Sequence, residues 1–182
     1  VRRATVNLML WMCCALPAGP AFAQSRAAVE DDGESKIRGE LEVKLPAPPK
    51  AENLLPFEAG AANSNRFFID VQSILVGDDG IVRYTLVIRS ASGAENVSFE
   101  GMRCETVEQK YYAFGRRDGT WSNARSSTWR RIQYKEINRH HGILYSDYFC
   151  PDGSPILSAT DAINRFKYGV PKGGAPRSGN RR

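Results

Sequence analysis

The sequence predicts an α+β fold, an antiparallel β-meander of about five strands with a short C-terminal helix packed on it. Three observations predict it. Apolar and polar residues alternate with period two from Arg66 to Gly115, the spacing of strands with one buried face. The turn-forming clusters "GDDG", "SASG" and "RRDGT" punctuate the alternation. The period then turns helical in "SATDAINRFKYG".

The elements follow in order. In "RFFIDVQSIL", Phe67, Ile69 and Val71 share one face, while Asp70 and Gln72 fall on the other. In "IVRYTLVIRS", Val82, Tyr84, Leu86 and Ile88 alternate with Arg83, Thr85 and Arg89. "NVSFEGMRC" sets Val97 and Phe99 on one face, and Gly101 is read as a bulge. "ETVEQKYYAFG" is a fourth strand, closed by "RRDGT". Short strands around Trp121 and from Trp129 to Ile132 complete the sheet. Such a meander is expected to have one buried and one wet face. In the last element Ser158 is the N-cap, with Asp161 three residues on. Ala162, Ile163 and Phe166 form the apolar stripe, and Gly169 is the stop. "NRHHGILYSDYFCP" places Leu144, Tyr145 and Tyr148 at helical spacing after an Asn138 cap, with a strand as the alternative.

The ends of the chain carry a different signal. Arg2 and Arg3, the apolar run Val6 to Leu16, the breakers Pro17 and Pro20, and Ala21-Phe22-Ala23 read as a secretory signal peptide over 1–23. The run is too short for a membrane span, and no later run approaches that length. Residues 24–57 read as a flexible, charged and proline-rich linker, with Leu54, Leu55 and Phe57 docking on the domain. Residues 58–168 form a single α+β domain, and 169–182 a disordered basic tail. The expected location is exported, periplasmic or associated with the outer membrane of a Gram-negative bacterium.

Export governs the cysteines. Cys13 and Cys14 leave with the signal, so Cys104 and Cys150 remain. An even pair in an oxidising compartment reads as a disulfide. Closing a loop of that length is worth about 4 kcal/mol in the chain-entropy view.

The net charge of +5 sits mostly at the ends. Between Glu58 and Tyr168 there are fourteen Lys and Arg against thirteen Asp and Glu. A near-neutral domain argues against nucleic acid as the partner. The one local excess is Arg116 to Arg139, where seven basic residues meet two acids. There Arg116, Arg117, Arg130 and Arg131 with Trp121 and Trp129 form a candidate binding surface for an anionic polymer or lipid surface. The competing reading places the tryptophans in the core and the arginines at its rim.

The two histidines, His140 and His141, are adjacent. Neighbouring side chains diverge on a helix and oppose on a strand, so the two imidazoles are expected apart, without chelating spacing. No metal and no cofactor is expected. His140, His141 and Asp147 are the candidate site if the protein is an enzyme, with either imidazole as general base. No G-x-S-x-G elbow or phosphate loop is present. Glu100, Glu105 and Glu108 read as scattered, mostly solvated carboxylates.

Several long segments carry a resemblance. "LPAPPKAENLLPF", "FFIDVQSILVGDDGIVRYTLVIRSASGAENVSFEGMRCET", "YAFGRRDGTW" with "WRRI", and "NRHHGILYSDYFCP" together resemble the CNP-one-like family. These are exported proteins of Gram-negative bacteria, and the resemblance runs from about Leu45 to Tyr168. It implies an exported single domain and offers no catalytic residues to carry over. The expectation is a non-catalytic binding or assembly module with an unidentified envelope partner. A small hydrolase or transferase acting on cell-wall material is the alternative.

Overall fold

The first six strands follow one another in space as they do in sequence. The computed structural model describes residues 39–60, 64–133 and 139–170. The strands are β1 (Leu54–Phe57), β2 (Arg66–Val76), β3 (Ile81–Arg89), β4 (Glu95–Arg103), β5 (Glu108–Gly115), β6 (Trp121–Asn123) and β7 (Arg130–Arg131). The sheet order is β1-β2-β3-β4-β5-β6, and β7 pairs with the other end of β5. Every pairing is antiparallel. The helical part comprises α1 (Arg139–Ile143), a wider π-type turn over Leu144–Phe149, a 3-10 turn over Pro151–Gly153, and α2 (Ala159–Tyr168). The open meander with its C-terminal helix is the architecture the sequence predicts. The signal peptide, residues 24–38 of the linker, the Asn138 cap and the tail from Pro171 lie outside the described residues.

The turns form where the sequence places them. Gly77 N–H bonds the Ile81 carbonyl across "GDDG", and Gly80 takes a positive φ of 74° there, which glycine adopts at no steric cost. α2 begins at Ser158, whose hydroxyl accepts from the Asp161 N–H, and stops at Gly169. Arg165 and Lys167 lie in its last turn, where cations favour the helix dipole.

The core lies between one sheet face and the helices. Phe67, Ile69, Val82, Tyr84, Leu86 and Met102 meet Leu144, Phe149, Ile156 and Ala162. Tyr84 stacks on Phe149 at 4.7 Å, and Tyr148 on Phe166 at 4.2 Å. Burying a side chain such as Leu144 or Phe149 contributes about 1.5–3 kcal/mol. The Cys104–Cys150 disulfide spans 46 residues and ties the end of β4 to the end of the π-type turn. Tyr145 reinforces the tie, its hydroxyl donating to the Cys104 carbonyl at 3.1 Å.

Three readings of the strands need correction. First, the opposite face is not wet along its centre. Arg83, Thr85 and Phe99 are buried there, because residues 39–50 run across it. Second, Gly101 is not a bulge. It pairs in register with Arg83 and Lys110. It is small because the Tyr112 side chain crosses it, its hydroxyl 2.7 Å and its ring 2.8 Å from where a Cβ would stand. The irregularity falls one step earlier, between Phe99 and Glu100. Third, the alternation of β2 breaks between Asp70 and Leu75. Ser73 bridges the gap: its hydroxyl donates to the Asp70 carbonyl and accepts from the Thr85 N–H.

Candidate functional site

The register of β3, β4 and β5 gathers polar groups at one place on the helix-covered face. Tyr84 pairs with Glu100, Leu86 with Ser98, and Glu100 with Tyr111. Glu100 is fully buried, a costly place for a carboxylate unless it is hydrogen-bonded. Three donors supply the bonds. Ser98 Oγ donates to Oε1 at 2.5 Å, Tyr84 Oη to Oε2 at 3.1 Å, and His141 Nε2 lies 2.8 Å from Oε2. Burial pushes the Glu100 carboxyl up, but His141 and Ser98 outweigh it and hold the group below its usual range. An ionised carboxylate only accepts, so His141 carries a proton on Nε2. Glu100, read from sequence as solvated, is thus the centre of a buried network. The signal for it was phase: Glu100 alternates in step with Met102 and Cys104, both core residues.

The histidines are not apart. Their ring centroids lie 4.1 Å from each other at 42°. α1 lies against the sheet here, so both side chains enter one interface. His140 stacks on Phe67 of β2 at 5.1 Å, and His141 meets the Tyr111 ring of β5 edge-on. Burial, helped by the neighbouring His141 ring and opposed by Glu100, pushes His140 down to about 4. It is therefore neutral at pH 7. Its Nδ1 is buried and has no hydrogen-bond partner among the described residues.

A groove of about 400 Å³ opens beside this network. Ile88, Val97, Tyr111 and Phe114 give it apolar walls. Ser98, Glu100 and His140, all buried, form its inner end. Phe114, 44 % exposed, marks the mouth. Glu95 lines the rim and pairs with Arg89 at 2.7 Å. The volume falls in the range of small-molecule sites, and the lining mixes apolar walls with several polar groups.

The other candidate residues are placed elsewhere. Asp147 accepts from Ser146 Oγ at 2.6 Å, and its carbonyl takes a bond from Arg165 of α2. Arg116 and Arg117 lie in the β5–β6 turn, beyond the pair Gly115–Trp121. Arg130 and Arg131 pair with Gln109 and Glu108 at the start of β5. The two arginine pairs therefore sit at opposite ends of β5, about 23 Å apart at the usual strand rise. The tryptophans face the 39–50 segment. Trp121 Nε1 donates to the Pro46 carbonyl at 2.8 Å and Trp129 Nε1 to Glu40 at 3.1 Å. Among the described residues no cluster of three or more His, Cys, Asp or Glu could hold a metal ion. Among them, too, no helix is long and apolar enough to cross a membrane.

These features define a disulfide-bonded α+β domain built on an open meander, with a groove beside a buried polar network. The chain belongs to the CNP1-like family, which it matches over residues 34–167. The match takes in the 39–50 segment, the whole sheet and nearly all of α2. Membership associates the chain with exported bacterial proteins and an envelope or extracellular location. No curated protein and no solved structure matches it.

Proposed function

We propose that the protein is a non-catalytic binding module of the Gram-negative envelope, working in the periplasm, and that the groove beside Glu100 and His140 is its ligand site. One observation carries this reading: apolar walls lead inward to a buried carboxylate and to the His140 ring, whose buried Nδ1 has no partner among the described residues. An unpaired buried polar atom costs about 1–3 kcal/mol, and a ligand donor would relieve that cost. The ligand class is a small amphiphile with a hydroxyl or amine at one end of an apolar body. Anions are disfavoured, because Glu95 and Glu100 both line the groove.

Binding fits this geometry better than catalysis. The Ser98 hydroxyl donates to Glu100, but that carboxyl is held below its usual range and is a weak base for activating it. His140, held at about 4, is a poor proton acceptor near neutral pH. A hydrolase or transferase using His140 or His141 needs a nucleophile or water brought to one of these rings.

Calorimetry with three probes sharing an eight-carbon chain tests the proposal. Octylamine and octanol are expected to bind and octanoate to fail. Equal binding of all three, or of none, would overturn the ligand class. Turnover of an ester or amide probe that disappears in His140→Phe would overturn the non-catalytic reading.

A further inference from the structure

The sheet face opposite the helices carries a second feature. Residues 39–50 cross it outside the ladders of the described strands, held by side chains and by their own backbone groups. The Glu40 carboxylate accepts from Lys110 Nζ at 2.9 and 3.1 Å and from Trp129 Nε1 at 3.1 Å. The Leu41 N–H donates to Asp79 Oδ2 at 2.9 Å, and its carbonyl faces Arg83 Nη2 at 3.5 Å. The Pro46 carbonyl accepts from Trp121 Nε1 at 2.8 Å. The receiving groups are fixed. Arg83 and Asp79 form a buried ion pair at 2.6 Å. The Arg103 guanidinium lies 4.1 Å over the Trp129 ring, with Lys110 on the same ring.

The burial pattern of the segment is periodic. From Glu40 to Pro49, the residues turned partly inward are Glu40, Val43, Pro46 and Pro49, and all those between are exposed. A repeat of three is the period of a polyproline II helix, whose backbone keeps no internal hydrogen bonds. Tryptophan N–H groups and aromatic walls are the means by which such helices are recognised, because the peptide is pre-ordered and its carbonyls stay free.

We infer that this face is a peptide-binding site for polyproline II segments of the pattern Glu-x-x-Val-x-x-Pro-x-x-Pro, and that residues 40–49 occupy it in cis. Lys110 and Trp129 read the acidic residue. Asp79 and Arg83 read the backbone of the residue after it, and Trp121 reads the first proline carbonyl. The partner is an extended, acidic, proline-containing peptide that exchanges with the chain's own segment. Tethering gives the resident segment an effective concentration in the millimolar range, so the intact chain masks the site.

The test uses the intact chain, a fluorescently labelled peptide of residues 39–50, and the same peptide carrying Glu40→Lys. Fluorescence anisotropy measures binding to the wild-type chain and to Glu40→Lys, in which the resident segment meets Lys110 with like charge. The variant is expected to bind the unmodified peptide at least tenfold more tightly than the wild type does, and to discriminate against the Glu40→Lys peptide. Adding Lys110→Glu to the variant should abolish the gain. Pro46→Gly, which loosens the resident helix without altering charge, is the second release variant should the first fail to fold. Absence of binding to both release variants up to millimolar peptide, or equal binding of both peptides, overturns the inference.

Discussion

His141 Nε2 lies 2.8 Å from Glu100 Oε2, and both side chains are shut off from water. The pair joins α1 to the middle of β4, so a polar contact organises the packing of the helical cover. Glu100→Ala would leave the Ser98 and Tyr84 hydroxyls and the His141 N–H facing an empty site. Each buried donor left without its acceptor costs about 1–3 kcal/mol, so the urea midpoint should fall accordingly. Glu100→Gln keeps the shape and one acceptor, and should cost about 1–3 kcal/mol.

His140 makes stability depend on pH. Folding lowers it from 6.5 to about 4. Between those values the unfolded chain binds the extra proton, so stability is full above pH 6.5 and is lost as pH falls towards 4. The loss should reach about 2–3 kcal/mol across the window. Glu100, held low, adds a loss of the same sign at still lower pH. His140→Phe keeps a ring against Phe67 and should flatten the slope between pH 6.5 and 4. Urea melts at a series of pH values measure it.

The Cys104–Cys150 bond closes a loop of 46 residues. Replacing both by Ser should cost about 4 kcal/mol. The intact protein should weigh two hydrogens less than its reduced form by mass spectrometry, and its thermal midpoint should drop on reduction.

The arginine pairs should act independently. About 23 Å of strand separates Arg116 and Arg117 from Arg130 and Arg131, well beyond a Debye length of about 8 Å at physiological salt. Reversing each pair's charge should change affinity for polyphosphate additively, with coupling below about 0.5 kcal/mol. A larger coupling would mean that one ligand touches both ends of β5.

Much of the fold was legible because short-range rules decide it. The turns at Gly80 and "RRDGT", the Ser158 cap and the Gly169 stop follow from local chemistry, and the cysteine pair from count and compartment. The site was less legible because it depends on register and on a covering segment. No spacing rule foretells that α1 would press both His140 and His141 onto the sheet. Glu100 could have been found by its phase with Met102, but its charge argued the other way. The burial of Arg83 and Thr85 was hidden in residues 39–50, whose proline-rich composition reads as linker. Trp121 and Trp129 were read as a stacking surface for an outside polymer or as core, and what their indole N–H groups meet is the chain's own Pro46 and Glu40.

The central claim is that the groove beside His140 binds a donor-headed amphiphile. Nitrogen NMR of the His140 ring during a titration with octylamine tests it most directly. The account predicts that the Nδ1 resonance shifts with saturation, that Phe114→Ala at the mouth weakens binding several-fold, and that octanoate leaves the ring unchanged. An Nδ1 resonance that stays fixed while octylamine binds elsewhere, or does not bind at all, would contradict it.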